Sequence, residues 1–322
     1  MKTIPVTLAL TFLLTAMACS SGAALQDDKR TSNPANSKKP EAESEKIKPD
    51  AELQKQIERI AAAAKGRVGA AAEVLETGQT AFLNQNERFP MQIVYKLPIG
   101  MAALREVDAG RLKLDQKIRV EKSDFVRAGM KSPLRDKNPN GVETTVAELL
   151  QLSVSESDGT ASDVLFRLSG GAQEIGKFLS ENGVREIAVV NTEKEIGRDW
   201  ETQYQNWATP PGAISLLRAL HERRGLSEAS RALMLKLLVE TTTGPRRLKG
   251  LLPKDAIVAH KTGTSGTRDG ITGATNDIGI ITLPNGKHLA IAVFVSDSAA
   301  DEATREAVIA KIAKAAWDKW SR

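Results

Sequence analysis

Hydrophobic and polar positions along the chain follow two periods, one typical of helices and one typical of strands. The helical spacing predicts an N-terminal helix over residues 51–64 and a C-terminal helix over residues 302–319. The same spacing recurs through the middle of the chain, in residues 145–154, 162–168, 172–181, 212–223 and 227–238. The region from about residue 96 to residue 240 is therefore predicted to be mostly helical.

Short apolar runs between turn residues predict strands near both ends of the helical region. Residues 67–75 and 80–83 flank Glu76-Thr77-Gly78 and predict a hairpin. Three further strands are predicted near the C-terminus, over residues 256–261, 277–283 and 288–295. This order predicts an α+β fold, in which N- and C-terminal segments share one antiparallel sheet with flanking helices and an all-helical lobe is inserted between them. We expect a ligand cleft between the sheet and the lobe.

The first eighteen residues differ from the rest of the chain. Lys2, an apolar run and small residues up to Ala18 are typical of a secretory signal, and the run is too short to span a membrane. Cys19 is the only cysteine, so no intramolecular disulfide is possible. Its position after Ala16-Met17-Ala18 resembles a bacterial lipobox, with cleavage by an ordinary signal peptidase as the alternative.

Residues 19–50 are rich in Ser, Asn, Lys, Glu and Pro and contain almost no apolar side chains. Such a segment cannot bury enough surface to offset the entropy of ordering it, so we expect a disordered tether that begins at a lipidated Cys19. An unstructured tail without a role would have the same composition. Residues 51–322 are left as the folded domain, and we expect a periplasmic lipoprotein anchored to a membrane.

The charge of the chain does not indicate a nucleic-acid partner. The formal net charge is +5, but the basic residues are scattered among nearly as many acidic ones, and aromatic residues make up only 4%. The three histidines, His221, His260 and His288, lack the spacing of zinc ligands in sequence, so a zinc hydrolase is not predicted. We expect a monomer without a metal or cofactor.

Two short motifs stand about a hundred residues apart. Ser157-Asp158-Gly159 lies between two predicted helices, where a helix N-cap would be the ordinary interpretation. Lys261-Thr262-Gly263-Thr264 follows an apolar strand, where a strand end would be the ordinary interpretation. Together they match two of the three motifs shared by class A β-lactamases and penicillin-binding proteins. The third motif has a serine three residues before a lysine, and no serine in this chain has that spacing.

The segment Arg88–Gly100 is similar to the segment that carries this third motif, except that Ile93 stands three residues before Lys96. Further along, Thr192-Glu193-Lys194-Glu195-Ile196 and Gln203–Trp207 resemble an Ω-loop. Over residues 51–322 the chain thus resembles the extended-spectrum branch of class A serine β-lactamases, which have the penicillin-recognising serine hydrolase fold. Ile93 occupies the place of the nucleophile.

The resemblance implies roles for the residues that match. Lys96, Ser157 and Lys261 would form a proton-relay cluster, with Ser157 passing a proton to the lactam nitrogen. Glu193 would activate the deacylating water. Whether the lysine or the Ω-loop glutamate is the base for acylation is disputed in the family. Ile93 has no atom that could attack the lactam carbonyl, so the chain as written is expected to be catalytically disabled.

The substrate-binding residues are carried over in the same way. Lys261 and Arg247 would attract the substrate carboxylate, since a guanidinium fits a carboxylate in two-pronged geometry. Thr262, Gly263 and Thr264 would line the same side, with backbone N–H groups of residues 93 and 264 as the oxyanion hole. Gly159 replaces a usual Asn, and Gly197 replaces an Asn or His near the water, which puts deacylation in doubt.

Two other functions remain open at this point. One is a non-catalytic envelope lipoprotein that binds a β-lactam or a peptidoglycan-like ligand. The other is a penicillin-sensitive DD-peptidase, which the Glu193 loop disfavours because peptidases of this fold generally lack such a base.

Lipidation can be tested at Cys19. We expect Cys19→Ala, or treatment with globomycin, to move the protein from the membrane to the soluble fraction, because the acylated thiol is the only predicted anchor. Immunoblotting of cell fractions measures the change, with Ser20→Ala as the matched control. A Cys19→Ala protein that stays on the membrane would contradict the lipobox interpretation.

Overall fold

The computed structural model describes residues 48–322. The predicted signal, Cys19 and nearly all of the tether lie outside the described residues. Within residues 48–322 the α-helices are α1 Ala51–Ala61, α2 Lys96–Asp108, α3 Pro133–Lys137, α4 Val146–Val154, α5 Gly159–Leu168, α6 Gly171–Glu181, α7 Glu193–Ile196, α8 Pro210–His221, α9 Glu228–Val239 and α10 Glu302–Trp320. The strands are β1 Arg67–Val74, β2 Thr80–Leu83, β3 Phe89–Pro90, β4 Lys117–Val120, β5 Val142–Thr145, β6 Ile187–Ala188, β7 Trp207–Ala208, β8 Val258–Thr264, β9 Thr267–Arg268, β10 Ile271–Thr282 and β11 His288–Ser298.

One antiparallel sheet joins the two ends of the described chain. Its strand order is β2-β1-β11-β10-β8, and β9 pairs with β10 beyond this path. Ala71 of β1 stands opposite Ala292 of β11, and Asp277 of β10 stands opposite Thr262 of β8. The predicted α+β architecture, with N- and C-terminal segments in one sheet, is confirmed.

The central strand β11 is buried on both faces. Successive side chains of a strand point to opposite faces, so the alternation divides β11 between two cores. Ala290, Ala292 and Phe294 join the core shared with the helical lobe. Leu289, Ile291, Val293 and Val295 join the core under α1 and α10.

The helical lobe is built around α2. Residues along almost the whole length of α2 are buried, and the helix packs against α4, α5, α6 and α9. A helix that is surrounded on all sides holds its first residue, Lys96, in a fixed position. Within the described part of the chain, none of the helices is both long and apolar enough to cross a bilayer.

Several helix and strand boundaries in the structure differ from the predicted ones. The strand predicted over residues 256–261 runs instead over Val258–Thr264, so Lys261-Thr262-Gly263 lies inside β8 rather than after it. Its polar side chains did not predict a strand, but backbone pairing with β10 continues to Thr264. The strand predicted over 277–283 begins at Ile271. The N-terminal α-helix ends at Ala61 and is followed by a 3-10 turn.

The helix predicted over 162–168 begins earlier, at Gly159. Its N-cap is Asp158, whose carboxylate accepts the backbone N–H of Ala161 at 2.8 Å. The N-cap interpretation and the motif interpretation of Ser157-Asp158-Gly159 are therefore compatible, because Asp158 caps the helix that begins beside the cleft.

Because β11 is buried on both faces, we expect its side chains to contribute strongly to the free energy of unfolding. We expect Ile291→Ala to lower the free energy of unfolding by about 2–5 kcal/mol, because it leaves a cavity in a fully buried site. Ile257→Ala is the matched control; its side chain is 57% exposed, and we expect a change below about 0.5 kcal/mol. Urea denaturation measures both. Equal losses in the two variants would contradict this description of the core.

Candidate active site

Ile93 lies in the floor of a cleft between the sheet and the helical lobe. It belongs to the 3-10 turn Gln92–Tyr95, which follows β3 and leads directly into α2. The cleft has a volume of roughly 480 Å³, and its walls include Lys131, Glu193 and Thr264. An apolar, partly buried side chain thus stands where the cleft meets the start of α2.

Two residues beside the cleft have left-handed backbone conformations that non-glycine residues rarely adopt. The φ of Gln92 is 48° and the φ of Ser157 is 62°. The Gln92 side chain is held in place because its Nε2 donates to Oε1 of Gln203 at 2.7 Å. Such strain persists only where the surrounding contacts impose it, which is typical of functional sites.

Gly263 allows β8 to approach the turn that carries Ile93. A Cβ at residue 263 would lie 2.7 Å from the carbonyl oxygen of Met91 and 3.2 Å from the backbone nitrogen of Val94. Any side chain would therefore push the strand away from the turn. The missing Cβ lets β8 lie close to the turn, so that Thr264 and Ile93 line the same cleft.

Lys96, Ser157 and Lys261 come together beneath the cleft. The Nζ of Lys96 donates to the backbone carbonyl of Ser157 at 2.9 Å, and the Nζ of Lys261 donates to its Oγ at 2.5 Å. Both lysines are fully buried. Burial, followed by the positive charge of Lys96, holds the pKa of Lys261 well below its usual range. The structure thus brings these three predicted site residues into one hydrogen-bonded cluster.

Glu193, at the start of α7, faces the same cluster. Its Oε2 lies 3.5 Å from Nζ of Lys96 and accepts a hydrogen bond from the hydroxyl of Tyr95. Burial, followed by the charge of Glu193, raises the pKa of Tyr95 well above its usual value, so Tyr95 stays a neutral donor. Tyr95 was not among the predicted site residues, although its place next to Lys96 was a usable signal.

Asp163 holds the loop that carries Glu193. Its carboxylate accepts the backbone N–H of Glu193 at 2.7 Å and that of Lys194 at 3.0 Å. Burial raises the pKa of Asp163 to about 7, although the two N–H donors favour its charged form. Sequence reasoning missed this residue, but it lies one helical turn after Gly159 on α5, which places it near the cleft.

Gly159 and Gly197, which replace larger residues usual in the family, have steric explanations. A Cβ at Gly159 would lie 3.0 Å from Cγ of Glu193, so any side chain there would press on that carboxylate. A Cβ at Gly197 would lie 2.7 Å from Sδ of Met130. Gly159 therefore makes room for Glu193, and Met130 fills the space beside Gly197.

Arg247 lies behind β8 rather than in the cleft. It is only 4% exposed, and its donors are used by the carboxylate of Glu306 and by the carbonyls of Gly263 and Asn276. One further donor reaches Oγ1 of Thr264 at 2.7 Å. A direct contact with a substrate carboxylate was expected of Arg247, but its observed contacts orient Thr264 instead. Thr264 is the exposed member of the pair.

The other predicted threonine is largely covered. Thr262 is 5% exposed, and its hydroxyl shares a 2.6 Å hydrogen bond with that of Thr243. Arg127, Lys131 and Arg198 add positive charge to the walls of the cleft and outnumber its two carboxylates, Glu193 and Asp199. This surplus of positive charge favours an anionic ligand.

The comparisons with known proteins define the family. Residues 52–320 match the model of the β-lactamase enzyme family. The chain therefore belongs to this family, and its relatives and structural neighbours include class A enzymes.

Among curated relatives, the chain is 42% identical to β-lactamase VEB-1 of Pseudomonas aeruginosa, with 81% of this chain and 88% of the relative covered. It is 43% identical to the extended-spectrum β-lactamase PER-1 of the same organism, with 82% and 86% covered. A crystal structure of a β-lactamase from Chitinophaga pinensis is 46% identical, has a TM-score of 0.81, and covers 83% of this chain and 99% of its own.

Asp163 predicts a pH dependence of stability. Its pKa is about 7 in the folded protein but close to 3.9 in an unfolded chain, so between these values the folded state holds a proton that the unfolded state has lost. We expect the free energy of unfolding to fall as pH rises from about 4 to about 7, and Asp163→Asn to remove this part of the slope. Urea denaturation across this range measures the effect.

Asp199→Asn is the matched control. Asp199 lies in the same loop region, and its hydrogen bonds with Thr202 lower its pKa, so its titration falls below this window. We expect the Asp199→Asn profile to follow that of the wild type. Parallel profiles for the wild type and Asp163→Asn would show that Asp163 does not titrate near neutrality.

Proposed function

We propose that this class A β-lactamase family protein keeps the family's β-lactam recognition cleft but cannot form the acyl-enzyme, because Ile93 occupies the place of the nucleophile. The observation that carries the proposal is the position of Ile93, one turn before Lys96, in the cleft that Thr264 also lines. Lys96, which directly follows the turn that carries Ile93, is linked by contacts to Ser157 and Glu193, and Ser157 is linked in turn to Lys261.

The missing step is the attack on the lactam carbonyl. A serine at residue 93 would form an Oγ–C bond while the C–N bond of the ring breaks, and its proton would pass to a base. The Ile93 side chain has only carbon and hydrogen, so neither transfer can occur. In a comparable serine hydrolase, loss of the nucleophile lowers turnover on the order of a millionfold, equivalent to about 8 kcal/mol of barrier.

With a serine in place, the contacts of the surrounding residues would support the reaction. Lys96 would take the hydroxyl proton, alone or together with Glu193. Ser157 would deliver a proton to the departing nitrogen, and the lowered pKa of Lys261 next to it favours rapid proton exchange. Glu193 would then activate the water that hydrolyses the acyl-enzyme.

Recognition of the ligand would use the β8 side of the cleft. Thr264 is exposed and is oriented by Arg247, and Lys261 lies three residues earlier on the same strand. The backbone N–H groups of residues 93 and 264 would form the oxyanion hole. Since Arg247 is buried, we propose that it acts on a carboxylate through Thr264 rather than by contact.

A second candidate function is ligand binding without chemistry. The positive walls of the cleft support the capture of a β-lactam or a peptidoglycan-like carboxylate by a protein that does not cleave it. A DD-peptidase is less well supported. The loop that carries Glu193, held by hydrogen bonds to Asp163, resembles the part of a β-lactamase that hydrolyses the acyl-enzyme. We place the protein in the periplasm, held at a membrane through lipidated Cys19.

Two substitutions at residue 93 separate the loss of the hydroxyl from the effect of bulk. We expect Ile93→Ser to restore hydrolysis of nitrocefin, while the wild type shows no mass increase after incubation with penicillin. Ile93→Ala is the matched control, because it removes the bulk without adding a hydroxyl. We expect Ile93→Ala to show neither hydrolysis nor an adduct. Absorbance assays and intact mass spectrometry measure both.

Two results would contradict the proposal. A penicillin adduct on the wild type would show that another nucleophile serves the cleft. A folded Ile93→Ser protein that neither forms an adduct nor hydrolyses nitrocefin would show that the loss extends beyond residue 93.

A further inference from the structure

A second polar cluster lies at the other end of the sheet. It comprises Glu76 in the β1–β2 turn, His221 at the end of α8 and His288 at the start of β11. Thr264 of the cleft stands opposite Thr275 of β10, whereas His288 stands opposite Thr282. The seven residue steps from 275 to 282 correspond to about 23 Å of strand, so this cluster is separate from the cleft.

The three side chains present their ligand atoms to one another. Nδ1 of His288 lies 2.6 Å from Oε1 of Glu76, and Nε2 of His221 lies 3.8 Å from the same oxygen. All three ligand atoms fall within 4.8 Å of one another. Tetrahedral zinc with bonds of about 2.0–2.1 Å needs ligand atoms about 3.3 Å apart, so small side-chain rotations suffice.

The backbone holds two of these residues in position. The second carboxylate oxygen of Glu76 accepts the backbone N–H of His288 at 2.8 Å, and Leu75 donates its N–H to the carbonyl of His288 at 2.9 Å. The hydrogen bond from the backbone of β11 therefore orients the carboxylate of Glu76, rather than its own rotamer preference. Support of this kind is typical of residues that surround metal ligands.

The charges of the cluster also suit a cation. Partial burial, followed by the positive charge of His288, lowers the pKa of His221. Partial burial of Glu76 opposes its charge, but hydrogen bonds from His288 outweigh it and lower the pKa of the carboxyl. The nearby cation of Arg231 is paired with Glu228 at 2.9 Å.

We propose that Glu76, His221 and His288 bind one zinc ion, with water completing the coordination. Two imidazole nitrogens and one carboxylate oxygen form a donor set that zinc commonly accepts in proteins. The ligands come from a turn, a helix end and a strand, so the ion would connect α8 to this end of the sheet. The site is structural and does not depend on the chemistry of the cleft.

Calorimetric titration of the tag-free protein with zinc chloride tests this site. We expect one zinc ion per chain and a rise in melting temperature of several degrees with excess zinc, but no effect of Mg²⁺ or Ca²⁺. Cobalt substituted for zinc should give visible d–d bands without a thiolate charge-transfer band, which distinguishes this site from Cys19.

Variants identify the ligands. We expect His288→Gln and Glu76→Gln each to weaken zinc binding about tenfold or more, because each removes one of three protein ligands. Glu222→Gln is the matched control: it removes the same charge next to His221 but is not in the cluster, and should change affinity less than about threefold. Metal-free melting curves verify that the variants fold. The proposal is overturned if the wild type does not bind zinc. It is also overturned if His288→Gln and Glu76→Gln bind zinc as tightly as Glu222→Gln does.

Discussion

The buried hydrogen bond between Lys261 and Ser157 joins the sheet to the helical lobe. The two residues are 104 positions apart, and their contact closes the seam between β8 and the α4–α5 junction. A buried ammonium requires acceptors, and Ser157 provides one to each lysine, its hydroxyl to Lys261 and its carbonyl to Lys96. The carboxylate of Glu193, 3.5 Å from Nζ of Lys96, supplies the opposing charge.

None of these contacts involves the side chain at residue 93. Lys96 finds its acceptors in Ser157 and Glu193, and Lys261 finds its acceptor in Ser157. The cluster can therefore persist when a carbon side chain replaces a hydroxyl, as the proposed loss of the acylation step requires. Tyr95 adds a buried donor to Glu193, so this carboxylate is also satisfied independently of residue 93.

The sheet and the helical middle could be predicted from period and order, because the second half of β10 and most of β11 are apolar runs with a turn between them. The continuation of β8 through Lys261 could not, since pairing with β10 rather than hydrophobicity maintains that strand. The motif residues around Lys96 could be placed by resemblance. The buried position of Arg247 depends on Glu306, 59 residues away, which no local pattern reveals.

Contacts between residues that are distant in the sequence also could not be predicted. Asp163 and Tyr95 contact Glu193 only after the Ω-loop segment folds over α5. His221 and His288 showed no ligand spacing in the sequence, yet a helix end and a strand start bring them beside Glu76.

The central claim is that residue 93 alone separates this cleft from an acylating one. The most direct measurement is intact mass spectrometry, with peptide mapping, of the double variant Ile93→Ser/Glu193→Gln after incubation with penicillin. The new serine should be acylated, and loss of the Glu193 carboxylate should slow release enough for the adduct to accumulate on that serine. A folded double variant that remains unmodified, with Ile93→Ser itself inactive, would contradict the claim.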